Sequence, residues 1–264
     1  MVRQHWQHRE LIRQLVGREV TQRYQGSLLG ILWSFVTPLL MLAIYTFVFS
    51  TVFKSKWRAT TGGVELGEFA LQLFAGLTAF NVFGEVLTRA PGAVLNCPNY
   101  VKKVVFPVQI LPVVVLGGAL VNSLICVGIM LVANVILFHT VSATLYLLPL
   151  AYLPLILLCL GVGWFLASLG VYIRDIGMIV GVVAQMLLFL SPVFYAEDAL
   201  PAAYRPLMLF NPLAVVLNTF RQTILDGAFP NWSRWGLWTA VTFLIAWAGY
   251  VWFMKTKKGF ADVI

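Results

Sequence analysis

The chain has 264 residues, of which 60% are hydrophobic and 11% are charged, and its mean hydropathy is +0.87. This composition excludes an ordinary soluble domain and indicates an integral membrane protein. The net charge of +8 is distributed over the ends of apolar segments instead of forming one basic face, which argues against a nucleic-acid-binding protein.

Apolar segments along the chain predict an all-α membrane protein with six transmembrane helices. A helix needs roughly 20 apolar residues to cross the hydrocarbon core of a bilayer. The six predicted spans cover residues 28–53, 69–88, 107–138, 145–173, 176–195 and 235–254. We treat residues 1–264 as one transmembrane domain.

Two further segments predict helices that do not span. Within residues 1–26, apolar positions recur at helical spacing between arginines, which predicts an amphipathic interfacial helix; a simple basic flank is the alternative. The apolar stretch 207–220 is only 14 residues long and is interrupted by Asn211-Pro212. We therefore predict short re-entrant helices between spans five and six, in an external gate region over residues 196–226.

The distribution of lysine and arginine predicts that both termini are cytoplasmic. Positive residues are retained on the cytoplasmic side of a membrane. Twelve of the 18 positive residues lie in the N-terminal segment, the second and fourth connections, and the C-terminal tail. An even number of spans also requires the two termini to share a side.

The chain lacks the residue patterns of several functional classes. No phosphate-binding loop is present, so ATP hydrolysis would require a partner, and we predict that this chain binds no cofactor. Cys97, Cys126 and Cys159 lack the spacing of metal ligands and are predicted to be free thiols. No Asp or Glu lies near the middle of a predicted span, which disfavours a secondary transporter or a membrane-embedded glycosyl or acyl transferase. Both remain alternatives.

Several motifs carry a family resemblance. The stretch 15–40, LVGREVTQRYQGSLLGILWSFVTPLL, is followed by NYVKKVVFP at 99–107 and YIRDIG at 172–177. SPVFY at 191–195, FNP at 210–212 and FADVI at 260–264 complete the pattern. Together they resemble the ABC-2 type permeases that export lipid-linked O-antigen, capsule or teichoic acid polymers.

The resemblance implies a non-enzymatic permease subunit of an ATP-driven polysaccharide exporter in the bacterial cytoplasmic (inner) membrane. It implies a homodimer with two separate ATPase subunits, which would bind the ATP and Mg. It also implies that cytoplasmic connections transmit ATPase movement, through Asn99, Lys102, Lys103, Arg174 and Asp175. Anchoring by positive charge, or an Arg174–Asp175 pair at a helix end, is the alternative for these residues.

The resemblance further implies a conduit lined by spans one, two and five. Aromatic faces stack on sugar rings, and rings that face lipid are the alternative. The candidate aromatic residues are Phe35, Tyr45, Phe49, Phe74, Phe80, Phe83, Phe189, Phe194 and Tyr195. Glu85 and Arg89 form an i,i+4 pair that is either structural or a contact for a pyrophosphate-linked lipid headgroup. Arg221 either contacts the substrate or marks its exit.

Overall fold

The computed structural model describes residues 7–23, 25–53, 57, 67–101 and 106–263. These residues form helices joined by turns, and no β-strand occurs among them. The α-helices are α1 (Arg9–Arg23), α2 (Trp33–Tyr45), α3 (Glu68–Arg89), α4 (Gly92–Leu95), α5 (Pro98–Val101), α6 (Leu111–Phe138), α7 (Leu148–Tyr172), α8 (Ile176–Leu190), α9 (Arg205–Leu209), α10 (Pro212–Arg221), α11 (Trp232–Thr256) and α12 (Phe260–Val263). The π-helical segments Thr46–Val52 and Gln222–Asp226 extend α2 and α10.

Five helical segments in the described ranges are long and apolar enough to cross a membrane. They are Gly30–Phe49, Glu68–Arg89, Val108–Phe138, Leu145–Tyr172 and Trp232–Gly259. The all-helical membrane class is therefore confirmed. The segment predicted as span five contains α8, which has only 15 residues. At ~1.5 Å per residue α8 is shorter than the ~30 Å hydrocarbon core, so the count of six stays a prediction.

The long helices place two sets of connections at opposite ends of a bundle. At the first end, which we call the basal end, Lys257 Nζ donates to Gln109 Oε1 (3.1 Å) and the Tyr172 hydroxyl donates to the carbonyl of Thr256 (2.9 Å). At the other end, the distal end, the Ser142 hydroxyl donates to the carbonyl of Thr223 (2.9 Å). Helices α1 and α12 both lie at the basal end.

Helix α3 occupies the centre of the bundle. Its most apolar stretch is 78% buried, whereas that of the first long segment is only 6% buried. Side chains of α3 such as Leu73 and Val82 are almost inaccessible and belong to one core cluster with residues of α6, α7 and α10. The first long segment therefore presents most of its apolar surface outward, toward lipid or another subunit.

Two glycines allow the close approach of α7 and α11. A Cβ added to Gly249 would lie 2.1 Å from the carbonyl oxygen of Gly161, and one added to Gly161 would lie 2.6 Å from the backbone of Ile245. Small residues of this kind are typical of helix contacts in membranes, because close backbones maximise van der Waals packing.

A second hydrophobic cluster holds the basal connections in place. Val94 of α4, Trp164 of α7, Phe253 of α11 and Phe260 of α12 are each at most 1% exposed and belong to this cluster. The indole of Trp164 also donates to the carbonyl of Gln109 (2.9 Å). Phe260, the aromatic residue of the C-terminal FADVI sequence, is thus an anchor whose ring contacts Phe253 of α11 and Tyr172 of α7.

Candidate functional site

Four charged residues form a ring at the basal end. Arg89 donates to Glu85 (2.8 Å) within α3 and to Glu19 of α1. Arg23 of α1 donates to both carboxylate oxygens of Glu85, with 3.2 Å between Nη1 and Oε2, and lies 3.7 Å from Glu19. Each cation therefore contacts two carboxylates, and the ring has no net charge. It joins the amphipathic helix to the central helix.

Two glycines of α6 position α1 for this ring. A Cβ on Gly117 would lie 2.5 Å from Val16, and one on Gly118 would lie 2.8 Å from Nη2 of Arg23. Larger residues at these positions would push α1 away from the bundle. A helix is therefore present at Arg9–Arg23, with Val16 packed on α6, and its location at the membrane interface stays a prediction.

A cleft of about 540 Å³ lies beside the ring, between α1, the end of α3 and the start of α6. Arg18, Arg89, Gln22 and Asn96 contribute polar groups to its lining, and Cys97 also lines it. Burial raises the pKa of the Cys97 thiol, and the nearby Glu19 carboxylate adds to this effect. A protonated thiol is a poor nucleophile, which agrees with a packing role.

Arg221 forms a clamp at the distal end. Its guanidinium donates to the carbonyls of Gln72 (2.9 Å), Pro192 (2.6 Å) and Val193 (2.7 Å), and lies 4.4 Å from the ring centre of Trp57. The residue is only 3% exposed. Its donors therefore connect α10 to α3 and to the segment that follows α8. A Cβ on Gly76 would lie 2.3 Å from Nη2 of Arg221, so the clamp also needs a glycine in α3.

The candidate aromatic residues occupy three environments. Phe74, Phe80 and Phe83 of α3 are buried in the core, at 4%, 5% and 5% exposure. Phe35 and Phe189 are exposed on α2 and α8, and Phe189 stacks on Phe194 with 5.4 Å between ring centres. The half-buried rings are Tyr45, Phe49, Phe194 and Tyr195. Phe49 stacks on Phe69, and the hydroxyl of Tyr195 donates to the carbonyl of Phe189 (3.3 Å). The lining of a conduit by these residues stays a prediction.

Most of the chain matches a known protein family. Residues 10–225 match the ABC-2 type transporter family. The chain belongs to this family. It is 27% identical to the O-antigen export system permease protein RfbA of Myxococcus xanthus over an alignment of 266 residues. This alignment covers 100% of this chain and 99% of that protein. A protein of the same description from Klebsiella pneumoniae is 23% identical over 259 residues, covering 97% and 95% of the two chains.

A third relative broadens this group. The polysialic acid transport protein KpsM of Escherichia coli is 24% identical over 241 residues, which cover 88% of this chain and 89% of that protein. The similarity therefore extends over nearly the full length of each relative. As a member of the ABC-2 type transporter family, the chain is a multi-pass membrane protein.

The predicted coupling residues lie at the basal end where the structure describes them. Arg174 and Asp175 are exposed in the turn between α7 and α8, and Asp175 makes no side-chain cap to α8. Helix α4 packs on α7 beside this turn, since a Cβ on Gly170 would lie 2.1 Å from the carbonyl of Pro91. Lys102, Lys103 and the side chain of Asn99 lie outside the described residues.

The sequence prediction paired Glu85 with Arg89 but missed their partners in α1. Glu19 and Arg23 have the same i,i+4 spacing as Glu85 and Arg89, which was an available signal. The prediction also missed the polar residues around Arg221. Gln72 donates to Asp226 (2.7 Å), and Arg234 forms two bonds to Glu197 (3.0 and 3.3 Å).

Proposed function

We propose that this chain is the permease subunit of an ATP-driven exporter that moves lipid-linked polysaccharide across the bacterial cytoplasmic membrane. The observation that carries this proposal is its end-to-end similarity to O-antigen export permeases, with 100% and 99% of the two chains aligned. The long apolar helices support a membrane path for the polymer. ATP and Mg bind to a separate ATPase subunit.

Six spans, with both termini in the cytoplasm, agree best with the course of the chain. Helix α8 begins beside the basal turn at Asp175, and the segment that follows it contacts Arg221 at the distal end. Together with Ser191–Val193 it therefore connects the two ends despite its length. Helices α9 and α10 then form the re-entrant pair, and α11 returns the chain to the basal end. The basic flanks support a cytoplasmic location of the basal end.

The complex contains two copies of this chain and two ATPase subunits. The outward apolar faces of α2 and α8, which include Phe35 and Phe189, support a subunit contact that encloses the conduit. Tyr195 and Phe194 lie at the distal end of the same face. The ATPase contacts the basal surface formed by α4, α5, Arg174 and Asp175. The family resemblance assigns Asn99, Lys102 and Lys103 to the same contact.

The geometry of the basal ring favours a structural role for Arg89 over a headgroup contact. Two carboxylates already neutralise its guanidinium, so an anionic headgroup would gain little from it. Arg89→Gln should therefore loosen α1. An export rate that falls severely in Arg89→Gln, with α1 still as protected from trypsin as in the unchanged protein, would support the headgroup contact instead.

The function is tested in a bacterial strain from which the gene for this chain has been deleted. Surface polysaccharide should be lost, and should return with the unchanged chain but not when the ATPase is catalytically inactive. An export activity that persists without ATP hydrolysis would contradict the proposal and favour a secondary transporter.

Substitutions in the basal turn test the contact with the ATPase. Arg174→Glu and Asp175→Arg should reduce copurification of the ATPase and polymer export, whereas Arg205→Glu at the distal end should leave ATPase binding unchanged. Equal ATPase recovery from all three variants would contradict the assignment of the basal turn.

A further inference from the structure

A polar pocket of about 210 Å³ lies at the distal end, between α3, α10, the start of α11 and the segment that follows Tyr195. It is lined mainly by amide, carboxylate and guanidinium groups. Its polar lining includes Gln72, Glu197, Asn218, Arg221, Asp226 and Arg234. The pocket is smaller than the ~300–1,000 Å³ typical of sites for drug-sized ligands, so it suits a ligand of one ring.

Two lining residues each have one buried polar atom that lacks a hydrogen-bond partner among the described residues. The first is Oε1 of Gln72, an acceptor on a side chain that is only 4% exposed. The second is Nε of Arg234, a donor. The other polar ends of both side chains are engaged, by Asp226 and by Glu197 respectively. Buried polar atoms without partners are costly, so each such atom suggests a ligand group.

The two guanidinium groups of the pocket are already engaged, and the exposed carboxylate of Asp198 adds a negative charge to the lining. Arg234 pairs with Glu197 and also donates to the carbonyl of Met208 (3.1 Å), while Arg221 is occupied by three carbonyls. An anionic ligand would therefore have to displace these existing contacts, and it would also meet the carboxylates of Asp198 and Asp226. A neutral hydroxyl has no such conflict, because it can donate to the Gln72 oxygen and accept from the Arg234 nitrogen.

We propose that this pocket binds one neutral sugar unit of the polymer as it reaches the distal end of the permease. The assignment rests on the proposed function, which supplies a hydroxyl-rich substrate. Its position next to the clamp of Arg221 means that an occupied pocket bridges α3, α10 and α11. The sugar therefore contacts the re-entrant helix α10 together with α3 and α11, which hold the re-entrant helices in place.

The test is sugar binding to the full chain, purified together with its ATPase partner in lipid nanodiscs. Saturation-transfer NMR is recorded with D-glucose, D-galactose and D-mannose at millimolar concentrations, and with D-glucuronate as the charged counterpart. Gln72→Leu removes the free acceptor, and Asn218→Phe fills the pocket without removing the Gln72 or Arg234 contacts. Gln14→Leu, exposed on α1 at the basal end, is the matched control.

At least one neutral hexose should bind saturably and better than glucuronate. Gln72→Leu should weaken its affinity about tenfold, the order expected for one lost buried hydrogen bond. Asn218→Phe should abolish saturable binding because the ring occupies the pocket, and the control should bind the sugar unchanged. Only variants with unchanged unfolding temperatures are compared. No saturable binding of any neutral hexose, equal binding of glucuronate, or unaltered affinity in both pocket variants would overturn the assignment.

The proposed function and the assignment of the pocket can be contradicted independently of each other. Export that continues without this chain contradicts the proposed function. Export that requires the chain, combined with no sugar binding in the nanodisc assay, contradicts only the assignment of the pocket.

Discussion

Replacing Arg221 by lysine should destabilise the distal end of the bundle although it retains the positive charge. The guanidinium of Arg221 supplies three donors in a fixed plane, and each reaches a different backbone carbonyl at 2.6 to 2.9 Å. A lysine ammonium is a single point of contact on a flexible stem. It can satisfy one of these carbonyls well, and the others then lack their donors in a buried site.

The expected loss of stability follows from the contacts that disappear. Each buried carbonyl without a donor costs ~1–3 kcal/mol, so two of them cost about 2–5 kcal/mol after partial relaxation. The stacking of Arg221 on Trp57, at 4.4 Å, adds to this loss. For a chain of this size ~1 kcal/mol corresponds to roughly 2–4 °C, which predicts a fall in unfolding temperature of about 4–20 °C.

The assay is thermal unfolding of the purified chain in nanodiscs, with surface polysaccharide measured in parallel. Arg205→Lys is the matched control, because Arg205 also donates to two backbone carbonyls but is exposed, and its change should be within about 2 °C. If Arg221→Lys unfolds at the unchanged temperature but abolishes export, the clamp is refuted and a direct contact between Arg221 and the substrate is supported.

Three further changes probe other contacts. Glu85→Gln leaves the two arginines of the ring sharing one carboxylate, and should increase trypsin cleavage within α1 about fivefold, as expected for ~1 kcal/mol; unchanged cleavage would contradict the ring. Gly249→Ala should lower the unfolding temperature through overpacking of ~1–3 kcal/mol, whereas Gly181→Ala, with open space around it, should not; similar melting of the two variants would contradict the close α7–α11 contact. Phe260→Ala should release the C-terminal tail at a cost of ~3–5 kcal/mol, measured as faster hydrogen exchange in residues 257–263; exchange at the unchanged rate would show that Phe260 is no anchor.

Some features could be predicted from the sequence because they are properties of consecutive residues. The apolar length of a segment sets whether it can cross a membrane, so the five long helices were predictable. Spacing within one helix is also local, which is why the pairing of Glu85 with Arg89 was predicted correctly. The length of α8 was overestimated because residues 192–195 are apolar. The helix ends at Leu190, however, and the backbone is extended at Ser191.

Contacts between distant positions could not be predicted in the same way. Arg23 pairs with Glu85, which is 62 positions away in the sequence, and Arg221 bonds to Gln72, which is 149 positions away. The sequence contains each charge and each donor but not the arrangement that makes them neighbours. Residues such as Phe74, predicted to line a conduit from their aromatic type and their place in span two, are buried in the core.

By itself, the sequence determined the membrane class, the positions of the long helices and the family, because hydropathy, charge flanks and motifs are read along the chain. Only the tertiary structure decided that Arg221 is a buried clamp, that α1 is fixed to α3 by a neutral ring, and that Gln72 and Arg234 line one pocket. The physical reason is that burial and hydrogen-bond partners depend on how helices pack, and packing brings together residues that are far apart in the chain.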